Sequence, residues 1–235
     1  MYAHRSSTGP VDLAFTDRYD GVSAVPFDSL NLALVGDDDP AARERNTQLV
    51  LDDFAPGAAL ADMAQVHGTR VVRAGGPREQ CDALVTDRTD VVLMVRVADC
   101  VPVLLADPRT GVVGAAHAGR NGVRDGVVTA CVEALGDLGA GDLTAWVGPH
   151  ICGRCYEVPA QLQQEVADVE PATVARTSWD TPALDIGAGV RAQLERAGVR
   201  VVDASRCTLE STDLYSYRRD GAASGRQAGL VRLRP

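Results

Sequence analysis

Cys100 and His117 are the side chains whose types and spacing first suggest chemistry. Cys100 follows the apolar run Val91–Ala98 and Asp99, and His117 lies in Ala116-His117-Ala118-Gly119. Between them are a second apolar run and the turn Asp107-Pro108-Arg109-Thr110. Val91–Cys100 and Val112–His117 therefore read as the arms of a β-hairpin. If Ala106 pairs with Gly111, the same register sets Cys100 directly opposite His117, with β-carbons about 5 Å apart. A thiolate and an imidazole at that separation either share a metal ion or act as a nucleophile–base dyad. Asp99, beside Cys100, is placed to orient a ligating histidine. His67 ends the apolar segment Ala64-Gln65-Val66-His67-Gly68, and the glycine behind it permits close backbone approach.

The remaining cysteines and histidines carry less. Cys152-Gly153-Arg154-Cys155, preceded by His150, is a lone H-x-C-x-x-C with no second cysteine pair nearby in sequence. It is half of a structural-zinc or redox motif. Cys81 and Cys131 fall in apolar contexts and read as core residues. His4 lies close to a terminus expected to be mobile.

The elements that must position these groups come from periodicity. Asp39-Pro40 is an N-cap with proline at the first helical position, opening a helix to about Leu51. The runs Ala83–Thr86, Val91–Ala98, Val103–Ala106 and Val112–Ala116 are dense in valine and leucine and bounded by Asp, Pro and Gly, as buried strands are. Val123, Val127, Val128, Cys131, Val132 and Leu135 recur at helical spacing and make Gly122–Leu135 an amphipathic helix. A strand at Leu143–Val147 follows, then helices at Pro159–Val169 and Ile186–Ala197, the second stopped by Gly198. Strands at Val199–Ala204, Leu214–Arg218 and Gly229–Leu233 close the chain. Strands arrive in runs and not in alternation with helices, which predicts an α+β fold. With no repeat and no linker rich in Pro, Gly and Ser, residues 1–235 read as one domain.

Composition narrows the function. The 235 residues are 46% hydrophobic and 23% charged, as in a folded domain and unlike a disordered chain. No run approaches the roughly 18 apolar residues of a membrane span. No signal-peptide apolar stretch follows the N-terminal methionine, so the cytoplasm is the expected compartment. A net charge of −9 with no basic run argues against nucleic acid as a partner. All 23 cationic residues are arginine. Without lysine there is no Walker-type phosphate loop and no Schiff-base chemistry. Any phosphate is held by arginine, backbone N–H groups or a metal. Four histidines are too few for a histidine-rich metal centre.

A series of short blocks runs in order along the chain. They are Gly21-Val22-Ser23, Ser29-Leu30-Asn31-Leu32, Gly36-Asp37-Asp38, Asn46, Gln65-Val66-His67-Gly68, Asp82-Ala83-Leu84-Val85-Thr86 and Ala98-Asp99-Cys100-Val101-Pro102-Val103. Ala116-His117-Ala118-Gly119, Gly148-Pro149, Tyr156-Glu157-Val158, Ser216-Tyr217-Arg218-Arg219-Asp220-Gly221 and Ser224-Gly225-Arg226 complete them. Together these blocks resemble the YfiH-like, laccase-domain family, variously described as purine nucleoside phosphorylases, polyphenol oxidases and peptidoglycan editing factors, and the resemblance implies a layered α/β/β/α sandwich with mixed sheets and a metal held by His67, Cys100 and His117. Arg120-Asn121-Gly122 stands where relatives often carry Trp-Arg-Gly, and Val25-Pro26 replaces the second glycine of the first block.

Two imidazoles and one thiolate around Zn²⁺ leave a fourth position for water or substrate, as catalytic zinc sites do. The implied activity is phosphorolysis of purine nucleosides (adenosine, inosine, guanosine, methylthioadenosine) with adenosine deamination at the same site. None of the histidines starts an H-x-E, so a cytidine-deaminase-type mechanism is not used. Purine nucleoside and phosphate are then the partners, with Arg218 or Arg219 as the phosphate clamp. Asn31 either presents its amide to substrate or caps a turn. Two other chemistries fit the residues: a metal-free Cys100–His117 hydrolase cutting an amide in a cell-wall precursor, and a mononuclear Cu²⁺ site with Met63 or Met94 as a weak axial ligand.

Overall fold

Strict alternation along the central strands decides the architecture. In the computed structural model, which describes residues 1–235, Leu93 and Val95 of the strand Val91–Val97 pack between two sheets, whereas Val92 and Met94 face outward under a helix. Across the gap, Leu104, Ala106, Val113 and Ala115 point inward, and Val103, Leu105, Val112 and Ala116 point to helices on the far side. Each strand thus feeds two cores. The layers are helix, sheet, sheet and helix, the mixed α+β fold that the resemblance implied.

The first sheet has the order Tyr2–Thr8, Val11–Thr16, Gln227–Leu233, Val91–Val97, Ala59–Ala64 and Glu79–Gln80. The second runs Arg200–Asp203, Thr144–Val147, Val101–Asp107, Val112–Ala118, Ala83–Thr86 and Val71–Arg73. Both mix parallel with antiparallel pairs. The helix Pro40–Phe54 covers the outer face of the first sheet through Val50 and Phe54. Helices Val127–Asp137 and Ile186–Arg196 cover the second through Val128, Cys131, Leu135, Val190 and Leu194. No helix is long and apolar enough to cross a membrane.

Several expected elements change. The helix expected over Gly122–Leu135 is two, Arg120–Asp125 and Val127–Asp137, divided at Gly126 with φ +88°. That left-handed residue turns the chain so that both short helices lie on the sheet. Leu214–Arg218 is not a strand. Leu214 and Tyr215 are buried without a ladder, and Ser216 caps the helical turn Tyr217–Asp220, its hydroxyl accepting from Arg219 N–H. A serine directly before a polar run forms a cap, which outweighs the β-propensity of the preceding tyrosine. The N-terminus, expected to be mobile, is an edge strand paired to Val11–Thr16.

The hairpin forms in another register. Its first arm is Val101–Asp107, and Ala106 pairs with Val113, not Gly111. Gly111 takes φ +70° and belongs to the loop, where the Asp107 carboxylate accepts from the N–H groups of Arg109 and Thr110. The partner of His117 is Pro102, two residues beyond Cys100. Cys100 itself precedes the strand and lies in the bend Ala98–Cys100, outside the ladder; the bend, with Asp99 at φ +88°, brings its Sγ to His117.

Candidate functional site

His67, Cys100 and His117 meet at the open end of the sandwich, where the chain crosses from one sheet to the other. His67 lies in the connection from Ala59–Ala64 to Val71–Arg73, and Cys100 in the bend between Val91–Val97 and Val101–Asp107. His117 is at the end of Val112–Ala118. Their donor atoms all lie within 4.8 Å of one another, with Cys100 Sγ 3.9 Å from His67 Nε2. The imidazoles meet edge to face, with centroids 4.8 Å apart. His117 is buried; Cys100 is partly exposed and His67 exposed, so the cluster opens outward.

One carboxylate holds two of the three. Asp82 immediately precedes the strand Ala83–Thr86, across the ladder from His117, and is fully buried. Its Oδ1 lies 2.8 Å from His117 Nδ1 and accepts from His67 N–H at 2.9 Å. Its Oδ2 accepts from the N–H groups of Gly68 and Val66. His67 has φ +61°, a conformation rare for residues with a β-carbon, and these three N–H bonds are what hold it. Burial alone would raise the Asp82 carboxyl; the bonds from His117 and the backbone outweigh it and hold the group below its ordinary value. It is therefore an anion that fixes His117 with Nδ1 as donor and leaves Nε2 free to ligate.

The Cys100 thiol is similarly poised. Burial would raise it, but attraction to His117 and hydrogen bonds from both histidines lower it to about 6. Burial would lower His117, but the Cys100 charge and the bond to Asp82 raise it to about 9. Each group's charge thus favours the other's, and a bound metal ion would replace the proton on His117 Nε2. A borderline-soft dication that takes two imidazoles and a thiolate fits this set. Zinc bonds of about 2.0–2.3 Å put tetrahedral neighbours about 3.5 Å apart, against 3.9 Å between Cys100 Sγ and His67 Nε2 and at most 4.8 Å within the trio.

The trio opens into a cavity of about 570 Å³, within the roughly 300–1,000 Å³ usual for small-molecule sites. In a chain of net charge −9, its walls carry Arg96, Arg120, Arg218 and Arg226 against Asp99 alone. Arg96 is buried and paired with Asp62 at 2.6 Å. Arg218 lies over the Tyr156 ring at 5.0 Å and donates from Nη1 to Glu157 O. Arg226 lies 5.7 Å from the Tyr217 centroid. Arg120 bonds only Asn121 Oδ1, at 3.3 Å.

The other sequence candidates lie elsewhere. Arg219 turns from the cavity and donates to the carbonyls of Thr208, Ser211 and Leu214. Asn31 is buried: its amide donates to Asp38, and its Oδ1 accepts from Ala33 and Arg226 N–H, the turn-capping alternative. Asp99 does not orient a histidine; its carboxylate accepts from Thr208 Oγ1 and Arg218 N–H, both at 2.6 Å. Asp82 fills that role. The sequence signal for it was an aspartate directly before a buried strand, where an uncompensated charge would be costly. Met63 lines the cavity, whereas Met94 faces the helix on the far side of its sheet. Arg120, whose place beside the site the resemblance pointed to, lines the cavity with Tyr156, Tyr217 and Arg226, to which sequence reasoning assigned no role because their segments meet only through the fold.

Gly119 shows how closely the backbone approaches. A β-carbon there would lie 2.7 Å from His67 Cδ2 and 3.1 Å from Cys100 Sγ. Gly119→Ala is expected to push the His67 ring aside and lower kcat/KM about 100-fold while the fold survives. Steady-state kinetics beside a denaturation curve checks this.

A family model described as "Multi-copper polyphenol oxidoreductase laccase" matches residues 12–234. A Streptomyces coelicolor protein named a purine nucleoside phosphorylase is 48% identical over 242 residues, covering 99% of this chain and 100% of that one. A Streptomyces griseus protein of the same name is 51% identical over 246 residues, covering 98% of each. Among solved structures, a Neisseria meningitidis protein superposes with TM-score 0.89 at 32% identity, covering 100% of this chain and 99% of that one. The Bacillus licheniformis hypothetical protein YfiH gives 0.87 at 26%, covering 95% and 93%.

Proposed function

The chain belongs to the multi-copper polyphenol oxidoreductase laccase family, and on that premise we propose that it is a zinc-dependent purine nucleoside phosphorylase. Its substrates in this reading are adenosine, inosine, guanosine or methylthioadenosine, with adenosine deamination at the same site. The observation that carries it is a thiolate and two imidazoles converging on a cavity whose walls hold guanidinium groups in an otherwise acidic chain. The relatives named purine nucleoside phosphorylase support it along their full length.

Zinc held by His67, Cys100 and His117 would supply a Lewis acid with one position left for substrate or water, the chemistry that phosphorolysis and deamination both draw on. In phosphorolysis the ribose C1′–N bond breaks as a phosphate oxygen bonds C1′, and the base leaves with the electron pair. Arg218 and Arg120 are the proposed phosphate clamp, because their guanidinium groups line the cavity and are not saturated by partners. Tyr156 and Tyr217 supply flat apolar walls for the purine. Asp82 keeps both histidines aimed.

The test is release of free base and ribose 1-phosphate from inosine by metal-replete protein. Base release is expected to depend on phosphate and to vanish in a His67→Ala control; equal release in that control ends this reading. The lowered Cys100 thiol beside His117 also supports a metal-free cysteine hydrolase acting on a cell-wall amide. Chelation separates the two. Complete metal removal is expected to abolish turnover and added zinc to restore it, whereas full activity of metal-free protein favours the dyad.

A further inference from the structure

The half motif Cys152-x-x-Cys155 is completed in space. The Sγ atoms of Cys152, Cys155 and Cys207 and a carboxylate oxygen of Glu210 all lie within 4.8 Å of one another, in a group separate from the trio of His67, Cys100 and His117. All three cysteines are free thiols.

Two tight turns of the same length present these donors. In the first, Cys155 N–H and Tyr156 N–H both donate to Cys152 O at 3.0 Å. In the second, Cys207-Thr208-Leu209-Glu210, Ser211 N–H donates to Cys207 O at 3.0 Å. A parallel bridge between His150 and Cys207 locks the turns side by side, through His150 N–H to Arg206 O and Thr208 N–H to His150 O. The donors already contact across the gap. Cys152 N–H points to Cys207 Sγ at 3.5 Å, and Cys155 Sγ lies 3.4 Å from Glu210 Oε1. Gly153 is required where it stands, since a β-carbon there would meet Asp185 Cβ at 2.7 Å. His150, despite preceding the motif, is no part of the group: its Nδ1–H donates to Gly148 O and its Nε2 packs on Gly187.

We propose that Cys152, Cys155, Cys207 and Glu210 form a second metal site, structural in kind, that takes Zn²⁺. Three thiolates and a carboxylate suit a borderline-soft dication, and bonds of about 2.0–2.3 Å require donors roughly 3.4–3.8 Å apart. Cys155 Sγ and Glu210 Oε1 already stand at 3.4 Å, and no pair in the group exceeds 4.8 Å. Four protein donors fill a tetrahedral shell, so no position is left for substrate. The site staples two segments that build the neighbouring cavity. One carries Ile151 and Tyr156, which line it. The other carries Thr208, whose hydroxyl holds Asp99 beside Cys100, and the carbonyls that anchor Arg219. Arg154 reaches within 3.9 Å of Glu210 from the solvent side, a partner that metal binding replaces.

The test uses the whole protein, expressed with zinc and freed of loose metal by gel filtration. Cys100→Ser, which disables the other centre, is expected to retain one zinc per chain by elemental analysis. Adding Cys155→Ser or Glu210→Gln to that variant removes this equivalent. Cobalt(II) loaded into Cys100→Ser is expected to show tetrahedral and sulfur-to-metal charge-transfer bands. In wild type, which bypasses any folding defect of the variants, stepwise modification of thiols releases one zinc as Cys152, Cys155 and Cys207 react together. A Cys100→Ser protein without zinc overturns the proposal. So does a disulfide among these three cysteines in peptide mapping of the freshly purified protein, or zinc retained after Cys155→Ser is added.

Discussion

Replacing Cys100 with serine is expected to lower kcat/KM for phosphorolysis by on the order of 10³-fold or more. The substitution is nearly isosteric, but it exchanges a thiolate for a hydroxyl that stays protonated at neutral pH. The thiol of Cys100 is lowered to about 6 by His117 and His67, which favours the anionic donor at neutral pH. A neutral oxygen is the harder and weaker ligand. The partner effect falls on His117, which loses the charge that raises it. Cys100 is partly exposed at a bend, outside the strand ladders, so stability is expected to change by less than about 1 kcal/mol. Kinetics and elemental analysis on the same preparation check both halves. Activity and one equivalent of metal should fall together. A serine variant within tenfold of wild type rules out Cys100 as a ligand and as a nucleophile.

Cys100 and His117 were legible from their hairpin, a cysteine after a buried run and a histidine among small residues, whereas His67, a histidine before glycine, joined them through the resemblance of its block to the family. Their convergence was half legible. The hairpin argument set Cys100 opposite His117; the ladder pairs His117 with Pro102 and leaves Cys100 in the preceding bend, which still brings its Sγ close to the imidazole. The reason for their rigidity was hidden. Asp82 reaches His117 across 35 residues and turns back to the peptide groups around His67, a contact that exists only once Ala83–Thr86 pairs with Val112–Ala118 in one sheet and the loop bearing His67 folds against them. The cysteine cluster was hidden for the same reason: Cys207 lies 55 residues from Cys152 and meets it through a single bridge. Arg218 and Arg219 show the limit of spacing arguments. Adjacent on a helical turn of four residues, they point to different surroundings, one toward the cavity and one into a ring of carbonyls. A strand would have sent them to opposite faces too, so the sequence pattern distinguished neither element nor role.

Asp82→Asn is the substitution expected to damage fold and site together. The carboxylate accepts from three consecutive backbone N–H groups and from His117, and it is fully buried. An asparagine offers one oxygen where two were used, and its amide protons face donors. At least one buried N–H is then left without an acceptor, and the charge that orients His117 is gone. The expected loss is about 3–5 kcal/mol. For a chain of this length that lowers the unfolding midpoint by roughly 10 °C or more. Metal affinity is expected to fall about 10- to 100-fold, as when a carboxylate behind a ligating histidine is removed. The pH dependence gives the sign. The Asp82 carboxyl is held below its ordinary 3.8, so its contribution is complete above that value and is lost as the pH falls through the lowered one. The stability gap between wild type and Asp82→Asn, measured by urea denaturation of metal-free protein, is therefore expected to be widest near pH 5–6, to narrow toward pH 3, and to narrow again as the pH rises toward about 9, where His117 loses the proton that Asp82 helps to hold. A gap that persists unchanged into acid, or a variant that binds metal as tightly as wild type, would show that Asp82 is a packing residue and that something else aims the histidines.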